Sequence, residues 1–218
     1  MNFPIIIVNF KTYRKATGEK AVQLAKICEK VAKETGANIA IAVQEIDLYH
    51  VCKEVSIPVF SEHIDAINYG SHTGFILPES VKEAGAVGTL LNHSEHKLRI
   101  DEIEAAVKRA KEVGLETVIC ANTPAVGDAV SDFNPDSVAI EPPELIGGKI
   151  SVSSAKPELI SHSVEIIDCP VLVGAGIHTE EDVRIALKLG AKGVLLASGV
   201  TKAENPEEVL RNLVKGLD

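Results

Sequence analysis

Reactive side chains stand just past short apolar runs at several points of this chain. Ala139 to Lys149 reads AIEPPELIGGK: an apolar run ends on one acidic residue, Glu141. Pro142 and Pro143 follow, then an acidic and apolar tip of Glu144, Leu145 and Ile146, then Gly147 and Gly148. Proline restricts φ and glycine releases it, so the segment reads as a short lid, stiff where it begins and loose where it ends. A carboxylate at the mouth of a strand, beneath a tethered lid, suits general-base chemistry that must exclude water. The same letters also describe a proline-rich surface turn with a solvated glutamate, and the rest of the chain decides between the two. Asn9 and Lys11 end an earlier apolar run, two residues apart, so both lean to one side. Asn92-His93-Ser94-Glu95 ends another. A lone His or Lys would be structural or solvated. Amide, ammonium, imidazole and carboxylate brought together would form a proton-transfer site.

What could bring them together is a repeated βα pattern. Apolar runs at Ile5 to Asn9, Asn38 to Val43, Pro58 to Glu62, Gly88 to Asn92, Thr117 to Ala121, Ser137 to Ile140, Val171 to Gly174 and Gly193 to Ala197 predict eight strands. The runs are nearly continuous, as in parallel strands buried on both faces. Amphipathic segments lie between them: Leu24, Ile27, Cys28 and Val31 share one helical face, and Ile103, Ala106, Val107 and Ala110 another. Pro78, Asn205-Pro206 and the pair Thr179 and Asp182 mark helix starts. Gly36, Gly85, Gly114 and Gly190 mark stops, spaced near multiples of one βα unit of roughly 25 to 27 residues. Eight such units predict a closed (β/α)8 barrel, residues 1–218 forming a single domain with no linker. The competitor is an open doubly wound sheet, which usually carries a Gly-rich turn after its first strand. Asn9-Phe10-Lys11 occupies that place. A barrel gathers its chemistry at the C-terminal strand ends, where Asn9, Lys11, His93 and Glu141 fall.

Composition narrows the class of partner. The 218 residues are 45% apolar and 24% charged, ordinary for a soluble globular protein, and the formal net charge is −9. That charge argues against a nucleic-acid or anionic-membrane surface, so neither partner is expected, and an anionic small molecule needs a local positive focus. Cys28, Cys52, Cys120 and Cys169 form no C-x-x-C pair and no metal-ligand spacing. Reduced, buried thiols in a cytoplasmic protein are the expectation. The run Ile5 to Val8 is too short for a signal or membrane segment.

N-F-K at Asn9 to Lys11, N-H-S-E at Asn92 to Glu95, and E-P-P-E-L-I-G from Glu141 to Gly147, in that order over essentially the whole chain, resemble the triosephosphate isomerase family, in its compact archaeal-type form. The resemblance implies a TIM barrel that interconverts dihydroxyacetone phosphate and glyceraldehyde 3-phosphate in glycolysis and gluconeogenesis. By the same resemblance Glu141 is the base, His93 the electrophile that shuttles protons between the enediolate oxygens, and Lys11 a positive charge near oxygens and phosphate. Asn9 orients the substrate and Glu95 holds Lys11. That family is itself a standard example of a carboxylate base matched with a neutral histidine under a closing loop, so those features come with the resemblance. The chemistry agrees in kind: removing a proton beside a carbonyl builds charge on oxygen, and donors aimed there are worth about 10² to 10³ each. No metal or organic cofactor is required.

Val173 to Ile177 (VGAGI) and Leu196 to Gly199 (LASG) are small-residue turns after strands seven and eight, where barrels bind phosphate. With Gly147, the resemblance makes Gly174, Ala175, Gly176, Ala197 and Ser198 a phosphate cup. Gly176, Ala197-Ser198 and Gly148-Lys149 depart from the usual family letters. A second glycine at 148 is expected to loosen the lid's exit by ~0.5 to 1 kcal/mol, raising KM or slowing closure without loss of activity. The connection from His63 to Leu77 is long enough to be functional. In the family it inserts into a neighbouring subunit, with the residue matching Thr73 touching the neighbour's site in trans, which implies a homodimer or homotetramer. Two alternatives stay open: another phosphate-binding barrel of biosynthesis, and a non-catalytic barrel that binds a phosphorylated metabolite.

Overall fold

The structure, a computed structural model, describes residues 1–146, 148 and 151–217. Strand β1 (Ile5–Asn9) is followed by α1 (Glu19–Thr35), β2 (Asn38–Val43), α2 (Glu45–Glu54), β3 (Val59–Ser61) and α3 (Pro78–Glu83). Next come β4 (Gly88–Leu91), α4 (Ile100–Val113), β5 (Glu116–Ala121), α5 (Pro124–Ser131), β6 (Ser137–Ile140), α6 (Val152–Ala155) and α7 (Pro157–Ile166). The chain closes with β7 (Val171–Gly174), α8 (Glu180–Lys188), β8 (Gly193–Leu196), α9 (Ser198–Thr201) and α10 (Pro206–Val214). The strands are parallel and form a closed barrel in sequence order, with β1 paired to both β2 and β8.

The near-continuous apolar runs have a simple physical use. Successive side chains on a strand point to opposite faces, and here both faces are covered. Ile5 and Ile7 join Ala40, Ala42, Phe60, Leu90, Val118 and Leu172 inside the barrel, while Ile6, Val8, Ile39 and Ile41 pack outward against the helices. On α1 the buried stripe is Ala21, Leu24, Ala25, Cys28 and Val31, so Ala25 takes the place expected of Ile27, which is only half-buried. Helix ends follow local chemistry. Asn205 caps α10 by accepting from Glu208 N–H, and Thr179 and Asp182 form a reciprocal capping box on α8.

Three strand ends are shorter than their apolar runs suggest. Glu62, Asn92 and Ala197 lie beyond β3, β4 and β8, and Asn92 has φ 57°, which no strand accommodates. The connection from His63 to Leu77 is closed at its base, where Asp65 N–H donates to Ile76 O (3.0 Å) and Ile76 N–H to Asp65 Oδ2 (2.6 Å). Above that base the loop leaves Tyr69 and Phe75 exposed. The cysteines are free thiols, two buried as expected and two, Cys52 and Cys169, half-buried. No helix among the described residues is long and apolar enough to cross a membrane.

Barrel closure depends on one close approach. At Gly193 (φ 156°) a Cβ would lie 2.1 Å from the Ile5 carbonyl oxygen on β1. Neither that backbone atom nor the β1–β8 seam can yield without losing strand pairing. Gly193→Ala is expected to destabilise the fold by about 1–3 kcal/mol or more, measured by urea unfolding. A variant as stable as the native chain would show that the seam is looser than described.

Candidate active site

The C-terminal ends of β1, β4 and β6 bring Asn9, Lys11, His93 and Glu141 to the wall of one small cavity, shared with Tyr13, Ile146 and the turns after β7 and β8. The chain turns sharply to present them. Lys11 (φ 50°), Asn92 (57°) and Ala175 (73°) all sit on this rim in the left-handed region that side chains other than glycine disfavour. Asn92 explains how such a turn is held: its side-chain amide donates to Cys120 O on β5 (2.9 Å) and accepts from Leu98 N–H (3.0 Å). His93 is thereby fixed facing inward.

Each polar group has a defined neighbour. The Lys11 ammonium donates to Glu95 Oε1 at 2.9 Å, and its backbone N–H donates to Asn9 Oδ1 at 3.1 Å. The Glu95 backbone N–H donates to His93 Nδ1 at 3.2 Å. An amide N–H only donates, so Nδ1 is the unprotonated nitrogen and the ring proton sits on Nε2. That nitrogen faces Glu141 Oε2 across 3.5 Å. Burial pushes His93 down to about 4, the Lys11 charge adds to this, and Glu95 opposes it. The imidazole is neutral at physiological pH.

Glu141 lies in the same buried wall, 6% exposed, and its Oε2 has no hydrogen-bond partner. Burial pushes its carboxyl up to about 7, against the lowering by the Lys11 charge and by a hydrogen bond with the Cys120 thiol. Gly174 leaves the space: a Cβ there would lie 2.5 Å from Glu141 Cγ and Oε1. An unpaired carboxylate with a pKa near neutrality, beside a neutral N–H donor, can take a proton from carbon while the donor polarises an adjoining carbonyl.

The turns after β7 and β8 complete the cavity. Ala175, Gly176, Ala197 and Ser198 line it as the sequence suggests, whereas Gly174 lies behind Glu141. The first N–H groups of a helix have no partner within it, so Ser198 and Gly199 at the start of α9 can face an anion. Pro143–Leu145 forms a single 3-10 turn above the site. Leu145 packs partly against the core, Ile146 lines the cavity, and Glu144 pairs with Lys156. Gly147 and Lys149 lie outside the described residues. Thr73 is exposed on its loop.

Sequence reasoning missed Tyr13, Cys120 and His178, while Gly199 lines the cavity at the end of the LASG turn that the sequence singled out. Strand parity offered a signal for one of them, since Cys120 shares the inward face of β5 with Val118. Tyr13 and His178 depend on how separate turns meet.

The family model described as triosephosphate isomerase matches residues 4–215. The triosephosphate isomerase of Methanobacterium bryantii is 53% identical over 216 residues, covering 97% of this chain and 96% of that one. The Methanocaldococcus jannaschii enzyme of the same name is 49% identical over 216 residues, covering 97% and 99%. A crystal structure of triosephosphate isomerase from Bartonella henselae shares the fold with a TM-score of 0.69 at 21% identity, covering 90% of this chain and 92% of that one.

The site's electrostatics can be read directly. Carbon-13 NMR of the labelled Glu141 carboxyl is expected to show titration near pH 7, and nitrogen-15 NMR a neutral His93 ring, protonated on Nε2, from pH 8 down to 5. A Glu141 midpoint near 4.5, or a His93 ring that gains a proton above pH 6, would mean that both groups are solvated.

Proposed function

The chain belongs to the triosephosphate isomerase family, and we propose that its reaction runs through Glu141, His93 and Lys11. It is an isomerase that interconverts dihydroxyacetone phosphate and D-glyceraldehyde 3-phosphate. Glu141 takes a proton from the carbon beside the carbonyl. His93 Nε2–H donates to the carbonyl oxygen as charge builds there, and the Lys11 ammonium adds a positive field. His93 then passes the proton of the neighbouring hydroxyl to the enediolate oxyanion so formed, and as the Glu141 carboxylic acid returns its proton to the other carbon the C=C electrons close the new C=O on the oxygen that lost its proton. A base with a pKa near the working pH is strong enough to take the proton and weak enough to give it back. The observation that carries this reading is the buried, unpartnered Glu141 Oε2 facing the Nε2–H of a histidine whose tautomer is fixed by Glu95.

Asn9 orients the substrate, and Glu95 keeps Lys11 in place. The phosphate is held by backbone N–H groups of Ala175 and Gly176 and of Ala197 and Ser198, with Gly147 as a further donor. Pro142 to Gly148 cover the enediolate, with Pro142 and Pro143 as the stiff end. We take the barrel as one domain acting in glycolysis and gluconeogenesis in the cytoplasm. A coupled assay with glyceraldehyde 3-phosphate tests the assignment. Glu141→Asp and His93→Gln are each expected to lower kcat by about 10²-fold or more with little change in KM. Native turnover in either variant would remove that residue from the mechanism.

We further propose a homo-oligomer, a dimer or tetramer, in which the His63–Leu77 connection of one copy enters its neighbour. The support is chemical. Tyr69 and Phe75 are 68% and 56% exposed on the loop. A cleft beside Lys11, lined by Glu45, Glu62, His63, Glu95 and His96, adjoins the active site. There Glu62 Oε1 is buried without a partner, and burial, then the charge of Glu45, pushes its carboxyl up to about 8. A hydroxyl such as Thr73 would satisfy it. Sedimentation analysis is expected to find Phe75→Glu shifted toward monomer with lowered kcat. A fully active native monomer would refute the proposal.

A further inference from the structure

The chain beyond β4 folds back on itself at Asn92. His96 N–H donates to His93 O (2.9 Å), and Leu98 N–H returns to the Asn92 side-chain oxygen (3.0 Å). Glu95, His96 and Lys97 are exposed on this turn, where a lysine ordinarily points its charge into water. The Lys97 ammonium instead turns back onto the barrel. It donates to the main-chain carbonyl of Asn92 (3.1 Å) and to Asn122 Oδ1 (2.7 Å), just past the end of β5.

That grip falls on the peptide that carries His93. Asn92 holds the left-handed conformation, φ 57°, that residues other than glycine disfavour. Its side chain is fixed by Cys120 O and Leu98 N–H, but neither contact involves the Asn92–His93 peptide. The carbonyl oxygen of that peptide is the atom Lys97 holds, and a hydrogen bond from a charged donor is roughly twice as strong as a neutral one. Asn122 braces the ammonium from β5, so one cation ties the turn of His93 to the next strand.

Both acceptors are uncharged, whereas the Lys11 ammonium is paired with Glu95. The charge of Lys97 is therefore left to act on the groups around it. Burial pushes the Glu141 carboxyl up to about 7, and Lys97 joins Lys11 and the Cys120 hydrogen bond in restraining that rise, against the charge of Glu95. Burial pushes His93 down to about 4, and Lys97 adds to this after Lys11, with Glu95 opposing. Burial also lowers the pKa of the Lys97 ammonium itself, against Cys120 and Glu141.

We propose that Lys97 is a positioning residue of the reaction: its ammonium fixes the peptide that aims His93 and sets an unpaired positive charge beside the Glu141–His93 pair. The inference rests on the proton-transfer reading of Glu141 and His93, and deepens it. Neither role needs contact with the substrate. A lysine that merely braced the fold would hold the turn, whereas this one also moves the titration of a carboxyl on a different strand.

The experiment compares the native chain with Lys97→Met, Lys97→Gln and Lys97→Arg. It measures kcat and KM for glyceraldehyde 3-phosphate at pH 8, and the carbon-13 titration of the Glu141 carboxyl in the free protein. Lys97→Met is expected to lower kcat about tenfold with KM within about threefold, and to raise the Glu141 midpoint by about half a pH unit or more. Lys97→Gln, which keeps an N–H donor but no charge, recovers part of kcat and shows the same raised midpoint. Lys97→Arg, which keeps both, restores the midpoint and most of kcat. Native kcat in Lys97→Met, a native midpoint in both uncharged variants, or Lys97→Arg no better than Lys97→Met overturns the proposal. If Lys97→Met does not fold, Lys97→Gln decides by the same two readouts. Glu141→Gln in the same assay separates the two ideas. If it turns over like the native chain, the site reading fails and the role of Lys97 falls with it. If it is inactive while Lys97→Met and Lys97→Gln match the native chain, the role of Lys97 alone fails.

Discussion

Removing the Glu141 carboxyl from water sets the terms for the rest of the site. An ionised carboxylate in an apolar wall is disfavoured, and in this structure its Oε2 is left without a partner. The surroundings are arranged to make that tolerable without making it comfortable. Gly174 leaves the space, the Cys120 thiol offers one hydrogen bond, and Lys11 lends a positive charge that is itself shared with Glu95. Full pairing would bring the carboxyl back toward the ordinary carboxylate range and weaken it as a base. Such a group belongs at a strand end of a closed barrel, where the scaffold is rigid enough to hold an unfavourable arrangement.

The same burial acts on His93 with the opposite sign. Loss of water disfavours charge whatever its sign, so it raises the acid's pKa to about 7 and lowers the imidazole's to about 4. Above about pH 7 the pair is therefore a carboxylate beside a neutral N–H donor, the combination that abstraction of a carbon-bound proton requires. Below that the carboxylate is lost while the donor persists, so on the proposed assignment activity falls on the acid side through Glu141 alone. The Glu95 backbone N–H completes the arrangement by choosing the tautomer, a choice that His93's own side chain could not make. Strain at Lys11, Asn92 and Ala175 marks the places where the chain leaves regular geometry to achieve this.

Much of this was legible in the sequence, for identifiable reasons. Asn9, Lys11, His93 and Glu141 each follow an apolar run, and buried parallel strands converge such residues whatever their separation along the chain. Strand limits were less so. Asn92 and Ala197 continue their runs in composition while their backbones have already turned. Ile27 shows the limit of reading a helical stripe by hydrophobicity, since the inward angle falls on Ala25. Cys120 against Glu141, Gly174 beneath it and His178 on Gly148 could not be read, because each depends on which elements meet face to face. Gly147 and Lys149, which the sequence placed in the lid and its exit, lie outside the described residues.

The central claim is that a buried carboxylate moves a proton between carbons through an enediolate. The most direct test is to run the isomerisation in deuterium oxide and locate deuterium in the product by NMR. A proton held on Glu141 exchanges with solvent before it is returned, so the account predicts deuterium on the carbon that receives it. Product that wholly retains the migrating hydrogen, with no solvent deuterium, would indicate direct hydride transfer and contradict the role given to Glu141.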